Sequence, residues 1–349
     1  MKIIRILSLV FSCFILIFIL ASCEHNKEPE KQVKNYYEYF DTVSSIFSYR
    51  EDSEEDFNKN CDDISALLGR YHKLFDIYYE YSGINNLKTV NKNAGIAPVK
   101  VDDELIEFLL YAKEIYRITD GKTNIALGAV TKLWHDARED SNDDPKNAYI
   151  PSPDALNEAA KHCDINDLIV DKSTGTVFIS DPDMSLDVGA LGKGYATELA
   201  AQLLIERGVT SYVLNIGGNI RAIGTKSGEE GWITGITNPD KSSEEAFVTK
   251  VVISDTALVT SGDYERFHTV NGVKYHHIID PATNMPADYF SSVSIFTENS
   301  GLADALSTAL FCMSYEDGLK LINDIGGVDV LWVSADGETK MTENIEFAK

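Results

Sequence analysis

The hydrophobic period of this chain changes at Leu168, and that change limits the folds open to it. Before it, apolar residues recur at i, i+3 and i+4. Asp52 to Tyr81 reads as a long helix through Ile64, Leu67, Leu68, Tyr71, Leu74 and Phe75, and Asp102 to Thr119 as a second through Leu105, Phe108, Leu109, Ala112 and Ile115, stopped at Asp120-Gly121. Thr123 to Trp134 is apolar, His135 to Ile150 polar and loop-like, and Ser152 is placed to cap a third helix through His162. One strand is read ahead of these helices, from Tyr36 to Tyr49 around Phe40-Asp-Thr42.

From Leu168 onward short strands take over. They are Leu168–Val170 and Val177–Ser180 around the turn Lys172–Gly175, then Tyr212–Asn215, Ile220–Gly224, Trp232–Thr237, Phe247–Ile253 and Leu258–Ser261. Asn271-Gly272 joins Phe267–Val270 to Val273–Ile278 as a hairpin, Ser292–Phe296 follows, and Val328–Val333 closes the sheet. Helices are read at Leu191–Arg207, ended by Gly208, at Gly301–Phe311 and at Tyr315–Ile325. Helices first and strands later, without alternation, predict an α+β fold.

The N-terminus carries an expectation about compartment. Lys2 and Arg5 precede an apolar run from Ile6 to Leu20, about fifteen residues and short of the roughly twenty that span a bilayer. Leu20-Ala-Ser-Cys23 then reads as a lipobox, so residues 1–22 are expected to be a signal peptide and Cys23 a lipid-bearing residue, with residues 23–35 as a tether to a domain over 36–349. The expected location is the extracytoplasmic face of the cell membrane. The formal charge of −24 becomes −26 once Lys2 and Arg5 are removed. Such a chain is not expected to bind nucleic acid, and it needs a local cation to hold an anionic substrate. Cys61, Cys163 and Cys312 are scattered, with no C-x-x-C, and read as buried thiols without a zinc or disulfide role.

Three stretches carry candidate chemistry. Asp304 and Thr308 lie four apart on a helix, where a carboxylate and a hydroxyl share a face and suit a hard cation; an N-terminal Asp beside a packed Thr is the plain alternative. Asp187-Val-Gly-Ala-Leu-Gly-Lys-Gly-Tyr195 is a glycine-rich turn opening a helix, where amide N–H groups and Lys193 attract phosphate, although its spacing matches neither common phosphate loop. A tight strand–helix connection explains it equally well. In His276-His277-Ile-Ile-Asp280-Pro281 a histidine at a strand end can serve as base, and a buried structural histidine with an ordinary turn is the alternative. Thr260-Ser-Gly-Asp263 is a further polar turn at a strand end, and Asn215-Ile-Gly-Gly218 reads as a bulge, with close approach of a flat ligand to the backbone as the alternative; Trp134 and Trp232 read as core.

In this order, and with Phe40-Asp-Thr42 and Thr119-Asp-Gly121 running to Leu133-Trp134, these pieces resemble the ApbE family, the FAD:protein FMN transferases, over nearly all of residues 37–330. The resemblance implies an ApbE-like (T-fold-like) architecture with helices packed on an antiparallel sheet and FAD in a central cleft. It implies Mg²⁺-dependent transfer of FMN from FAD to a Ser or Thr hydroxyl of an extracytoplasmic acceptor, an FMN-binding domain of a membrane redox system, with release of AMP. Carried over by motif, the metal ligands are Asp304, Thr308 and the Ala190 carbonyl. The FAD contacts are Asp187, Lys193, Lys122, Thr123, Asn124, Ile278 and Phe40, and the catalytic histidine is His277. The same residues would serve a Mg²⁺-dependent FAD pyrophosphatase, and a lipid-anchored flavin-binding protein without chemistry is the rival of another class. The chain departs from the family at Phe40-Asp41, where Met-Gly is common, at Asn284, where Gly is common and Asn keeps a left-handed turn, and at Gly301, where some members place another acidic ligand.

Overall fold

The computed structural model describes residues 31–49, 53–226 and 229–348. The expected signal peptide and lipidated Cys23 lie outside them. Residues 31–35, read as tether, are instead the start of β1 (Lys31–Tyr39). Among the described residues no helix is long and apolar enough to cross a membrane.

The frame is an eight-stranded antiparallel sheet. In spatial order its strands are β1, β2 (Thr42–Tyr49), β6 (Ser211–Ile216), β7 (Asn219–Gly224), β10 (Ala257–Gly262), β15 (Ser292–Thr297), β16 (Asp329–Val333) and β17 (Thr339–Met341). Side chains alternate between its faces, as the two-residue repeat of a strand requires. Val259, Val293, Ile295, Val330 and Trp332 join one core cluster. Their sequence neighbours Leu258, Phe296, Leu331 and Val333 join another on the opposite face.

Helices α6 (Gly192–Glu206) and α7 (Ser300–Phe311) pack on the first face and against each other, with α1 (Glu54–Phe75) against α6. The hairpin of β8 (Trp232–Thr237) and β9 (Phe247–Ile253) covers the second through Trp232, Ile236, Val251 and Ile253. This is the expected α+β architecture, with a strand layer added on the far side. The remaining elements border the helical layer. They are α2 (Leu87–Lys92), α3 (Asp103–Ile118), α4 (Gly128–Asp143), α5 (Pro153–Ala159) and α8 (Tyr315–Ile325), the strands β3 (Val99–Lys100), β4 (Leu168–Asp171) and β5 (Thr176–Ile179), and the hairpins β11 (Phe267–Val270) with β12 (Val273–His276) and β13 (Ile279–Asp280) with β14 (Met285–Pro286).

Three sequence expectations change. Tyr36–Tyr49 is two strands, because Phe40 and Asp41 both take positive φ (55° and 51°) and turn the chain without the Asn-Gly signal. The first long helix ends at Phe75, not Tyr81. There the Asp76 carboxylate accepts the Tyr78 and Tyr79 amides (2.6 and 2.9 Å), offering the backbone an alternative to another helical turn. The polar stretch after Trp134 continues α4 as far as Asp143, and only the residues beyond it are loop-like. The helix's buried stripe of Val130, Trp134, Ala137 and Ser141 is narrow, and the polar residues lie on its other face.

Candidate active site

The site begins where α6 meets α7. A Cβ on Gly194 would stand 2.3 Å from the Asp304 Cβ and 2.4 Å from the Ser300 carbonyl oxygen, so the two helices come this close only with glycine there. The Gly194 N–H, which in a regular helix would reach back to Ala190, donates instead to Asp304 Oδ2 at 2.7 Å. Among the described residues no hydrogen bond reaches the Ala190 carbonyl, and it stays available as a hard oxygen donor. The glycine-rich turn therefore works through close helix packing more than through free amides.

Asp304 is 5% exposed. Burial pushes its carboxyl above the ordinary range, against which Lys193 (Nζ 3.9 Å away) and the Gly194 amide act in the opposite sense. Around it are buried polar atoms with no protein partner among the described residues. The Asn219 amide lies beside the carboxylate without a geometric hydrogen bond, and the Tyr111 hydroxyl is raised first by burial and then by the Asp304 charge. A carboxylate held at this cost, a bare carbonyl and orphaned polar atoms match the donor set of a partly hydrated Mg²⁺. Thr308 is half-buried one helical turn on. At Gly301 a Cβ would sit 3.1 Å from the Tyr111 hydroxyl and 3.2 Å from Asn299 Oδ1, so a longer acidic side chain there would compete with Tyr111 for its space.

The floor under α7 is also charged. Glu198, on α6, accepts the Ser300 amide at 2.8 Å and pairs with the buried Arg221 at 3.3 Å, which holds the first turn of the helix that carries Asp304.

A second segment is tied to the same helix. Thr123, buried, donates its hydroxyl to the Ala305 carbonyl at 2.7 Å, one residue from Asp304. Asn124 caps the turn at Ile125–Leu127 and donates to the Cys163 carbonyl at 2.9 Å. Lys122 Nζ lies 2.9 Å from the buried Asp280 and keeps two of its three donors. The Thr123 and Asn124 side chains are thus engaged in the fold, and the donors left over in this segment are those of the Lys122 ammonium and the second Asn124 Nδ2–H.

Lys122 leads to the third stretch. His276 is buried, its Nε2 bound to the Ala287 carbonyl (2.8 Å) and its Nδ1 to the Ile278 amide (3.2 Å). His277 is exposed, with Nδ1 3.2 Å from the Arg266 carbonyl. A carbonyl only accepts, so in the neutral ring Nδ1 carries the proton and Nε2 presents a lone pair. The protein packed around the ring, and then the Arg266 charge, push its pKa down. The imidazole is therefore neutral at pH 7. Ile278 is buried, with its carbonyl taken by the Ala287 amide, and offers a ligand an apolar contact only.

Asp187 accepts from Thr131 Oγ1 (3.0 Å) and the Gly189 amide (2.9 Å), which fixes its carboxylate at the mouth of the glycine-rich turn. Beside it, next to the Asp41 of the departing motif, lie residues to which the sequence reading gave no role in the site. Tyr78 and Asp41, with His135, Arg138 and Arg266, line a cavity of about 450 Å³. Tyr78 is exposed and its ring lies 5.9 Å from that of His135. Its place in the apparent helix to Tyr81 concealed it; an aromatic run (Tyr78, Tyr79, Tyr81) in a loop was the available signal. Phe40 packs edge-on to His72 at 5.8 Å and donates its amide to that ring. Asn284 holds φ 58°, the left-handed turn expected of it, and its carbonyl accepts from Trp134.

Direct contacts thus link Lys193 to Asp304, Asp304's helix to Thr123, and Lys122 to the Asp280 turn beside His277. The buried Asp304 carboxylate beside Lys193, a lysine with spare donors at Lys122 and the neutral imidazole of His277 are the groups an enzyme acting on a nucleotide-like anion requires. The family model described as "ApbE family" matches residues 40–332, and the chain belongs to the ApbE family. It is 38% identical over 273 residues to the FAD:protein FMN transferase of Treponema pallidum (strain Nichols), covering 74% of this chain and 73% of that one. With the FAD:protein FMN transferase of Klebsiella pneumoniae (strain 342) the identity is 28% over 77% and 82%. The crystal structure of the ApbE protein from Thermotoga maritima superposes with a TM-score of 0.78 at 28% identity, over 90% of this chain and 97% of that one. The flavin transferase ApbE from Vibrio cholerae gives 0.74 at 22% over 90% and 96%, a likeness of fold. The three cysteines are free thiols, Cys61 and Cys312 buried and Cys163 half-buried.

Proposed function

We propose that this protein is an FAD:protein FMN transferase that moves FMN from FAD to a Ser or Thr hydroxyl of an acceptor protein and releases AMP. The supporting observation is the buried Asp304 beside Lys193 and the unbonded Ala190 carbonyl, on a helix tied through Thr123 and Lys122 to the turn that carries His277. In this reading Asp304, Thr308 and the Ala190 carbonyl hold Mg²⁺, which supplies charge neutralisation at the pyrophosphate when bound.

The chain's own groups do the rest. Lys193 and the remaining Lys122 donors meet phosphate oxygens, Asp187 and Ile278 orient the nucleotide, and Phe40 and Tyr78 border the ring system. His277 Nε2 takes the proton from the acceptor hydroxyl as its oxygen bonds to the FMN phosphorus and the bond to the AMP oxygen breaks. Exposure of His277 to water supports the second reading, a pyrophosphatase in which water is the nucleophile. The acceptor is proposed to be an FMN-binding domain of a membrane redox system, met at the extracytoplasmic face by an enzyme anchored through lipid on Cys23.

The test is incubation of the protein with FAD, Mg²⁺ and an acceptor domain bearing a hydroxyl residue, followed by intact mass. The expected result is an acceptor heavier by one FMN group. An unmodified acceptor with FAD intact sinks the enzyme; an unmodified acceptor with AMP released selects hydrolysis.

A further inference from the structure

A cluster of metal-ligating side chains lies apart from the site residues described above. His162 ends the helical turn after α5, and Asp181 and Asp183 lie in the loop after β5. Their ligand atoms fall within 4.8 Å of one another. His162 Nδ1 is 2.7 Å from Asp181 Oδ2, with both side chains largely covered (24% and 17% exposed). The Asp183 amide donates to Asp181 Oδ1, which fixes the turn, and the exposed Asp183 carboxylate opens the site to water.

We propose that His162, Asp181 and Asp183 form a second cation site, selective for Zn²⁺ over Mg²⁺. One imidazole and two carboxylates are a mixed nitrogen and oxygen set, which suits zinc, whereas Mg²⁺ prefers oxygen alone. Tetrahedral zinc with bonds of about 2.0 Å spaces adjacent ligand atoms by about 3.3 Å. The His162–Asp181 pair has to open only slightly, and water fills the fourth position.

The site's place in the fold gives it a consequence. Cys163, next to His162, accepts the Asn124 amide of the Lys122–Asn124 segment. Asp183 leads within four residues to Asp187, whose amide donates to Ile125, and the Ser185 carbonyl on the way accepts the Gly128 amide. A zinc ion there fastens together two chain segments that both bond to residues 124–128, next to Lys122. It is a structural clamp and takes no part in the chemistry.

The test uses the full chain and Zn²⁺ alone, without flavin or acceptor, so it stands or falls independently of FMN transfer. Calorimetric titration is done on Asp304→Ala, to remove the other cation site. One bound Zn²⁺ is expected, with affinity at least 10-fold weaker when Asp183→Ala is added, and no binding when His162→Ala is added as well. Asp183 is exposed, and its replacement leaves the His162–Asp181 pair in place, so that variant keeps its fold. Zinc should also slow amide exchange in residues 160–167 and 180–186. Absence of bound zinc in Asp304→Ala, or equal binding by the His162→Ala/Asp183→Ala form, overturns the proposal.

Discussion

His276 engages both ring nitrogens inside the fold, while His277 engages one and leaves Nε2 to the solvent side. That difference assigns their roles, and it predicts how His277 titrates. With its pKa lowered, the base form survives acidification: kcat/KM for transfer should stay flat as pH falls through the ordinary histidine value of about 6.5 and drop only below it. His277→Ala should reduce transfer by about 10²- to 10⁴-fold while FAD binding, followed by flavin fluorescence, is retained. Asp304 is shifted in the opposite sense, so the folded state binds its proton more tightly than the unfolded chain does. Stability from this residue is therefore lost as pH rises from the ordinary carboxylate value of about 3.9 through the raised one. Without divalent cation, Asp304→Asn should melt above the parent at pH 7, the gap closing in acid, and should lack transfer. Melting curves in chelator across pH check this, and a lower melting point for the variant at pH 7 contradicts the burial argument.

At the scale of elements, the crossing of α6 and α7 sets the site. Gly194→Ala puts a methyl 2.3 Å from the Asp304 side chain. The helices must separate, at about 1–3 kcal/mol of stability, and the Gly194–Asp304 bond is lost. Denaturant unfolding should show that loss and the transfer assay a larger one; a variant with parental activity would mean that the crossing does not position Asp304. The pair of Glu198 and Arg221 belongs to the same joint. A strand residue and a residue of α6 together hold the first turn of α7, which no motif around Asp304 reveals.

The whole molecule carries a formal charge of −24, and FAD is also anionic. Like charges slow encounter, and salt screens them. The association rate of FAD should therefore rise with ionic strength, the reverse of a steered reaction, when followed by stopped-flow quenching at fixed Mg²⁺. A rate that falls with salt would place a dominant local positive field at the entrance, with Arg138 and Arg266 its natural source.

Much was legible from residue order. The strands from Leu168 onward, the hairpin at Asn271-Gly272, the helix at Tyr315–Ile325 and the left-handed Asn284 are local matters of period and turn chemistry, which a chain writes into neighbouring residues. The helix stop was less visible because the Asp76 carboxylate overrides the helical period, and the Phe40-Asp41 turn because two residues that rarely take positive φ do so there. What only tertiary structure decided is which polar groups remain free. Thr123 and Asn124 look like ligand contacts in sequence, but their side chains hold the fold together. Ala190 gains a bare carbonyl only because the Gly194 amide turns to a carboxylate 110 residues away. Hydrogen-bonding capacity is a property of residue type, but its use depends on which partners the packed chain brings within about 3 Å.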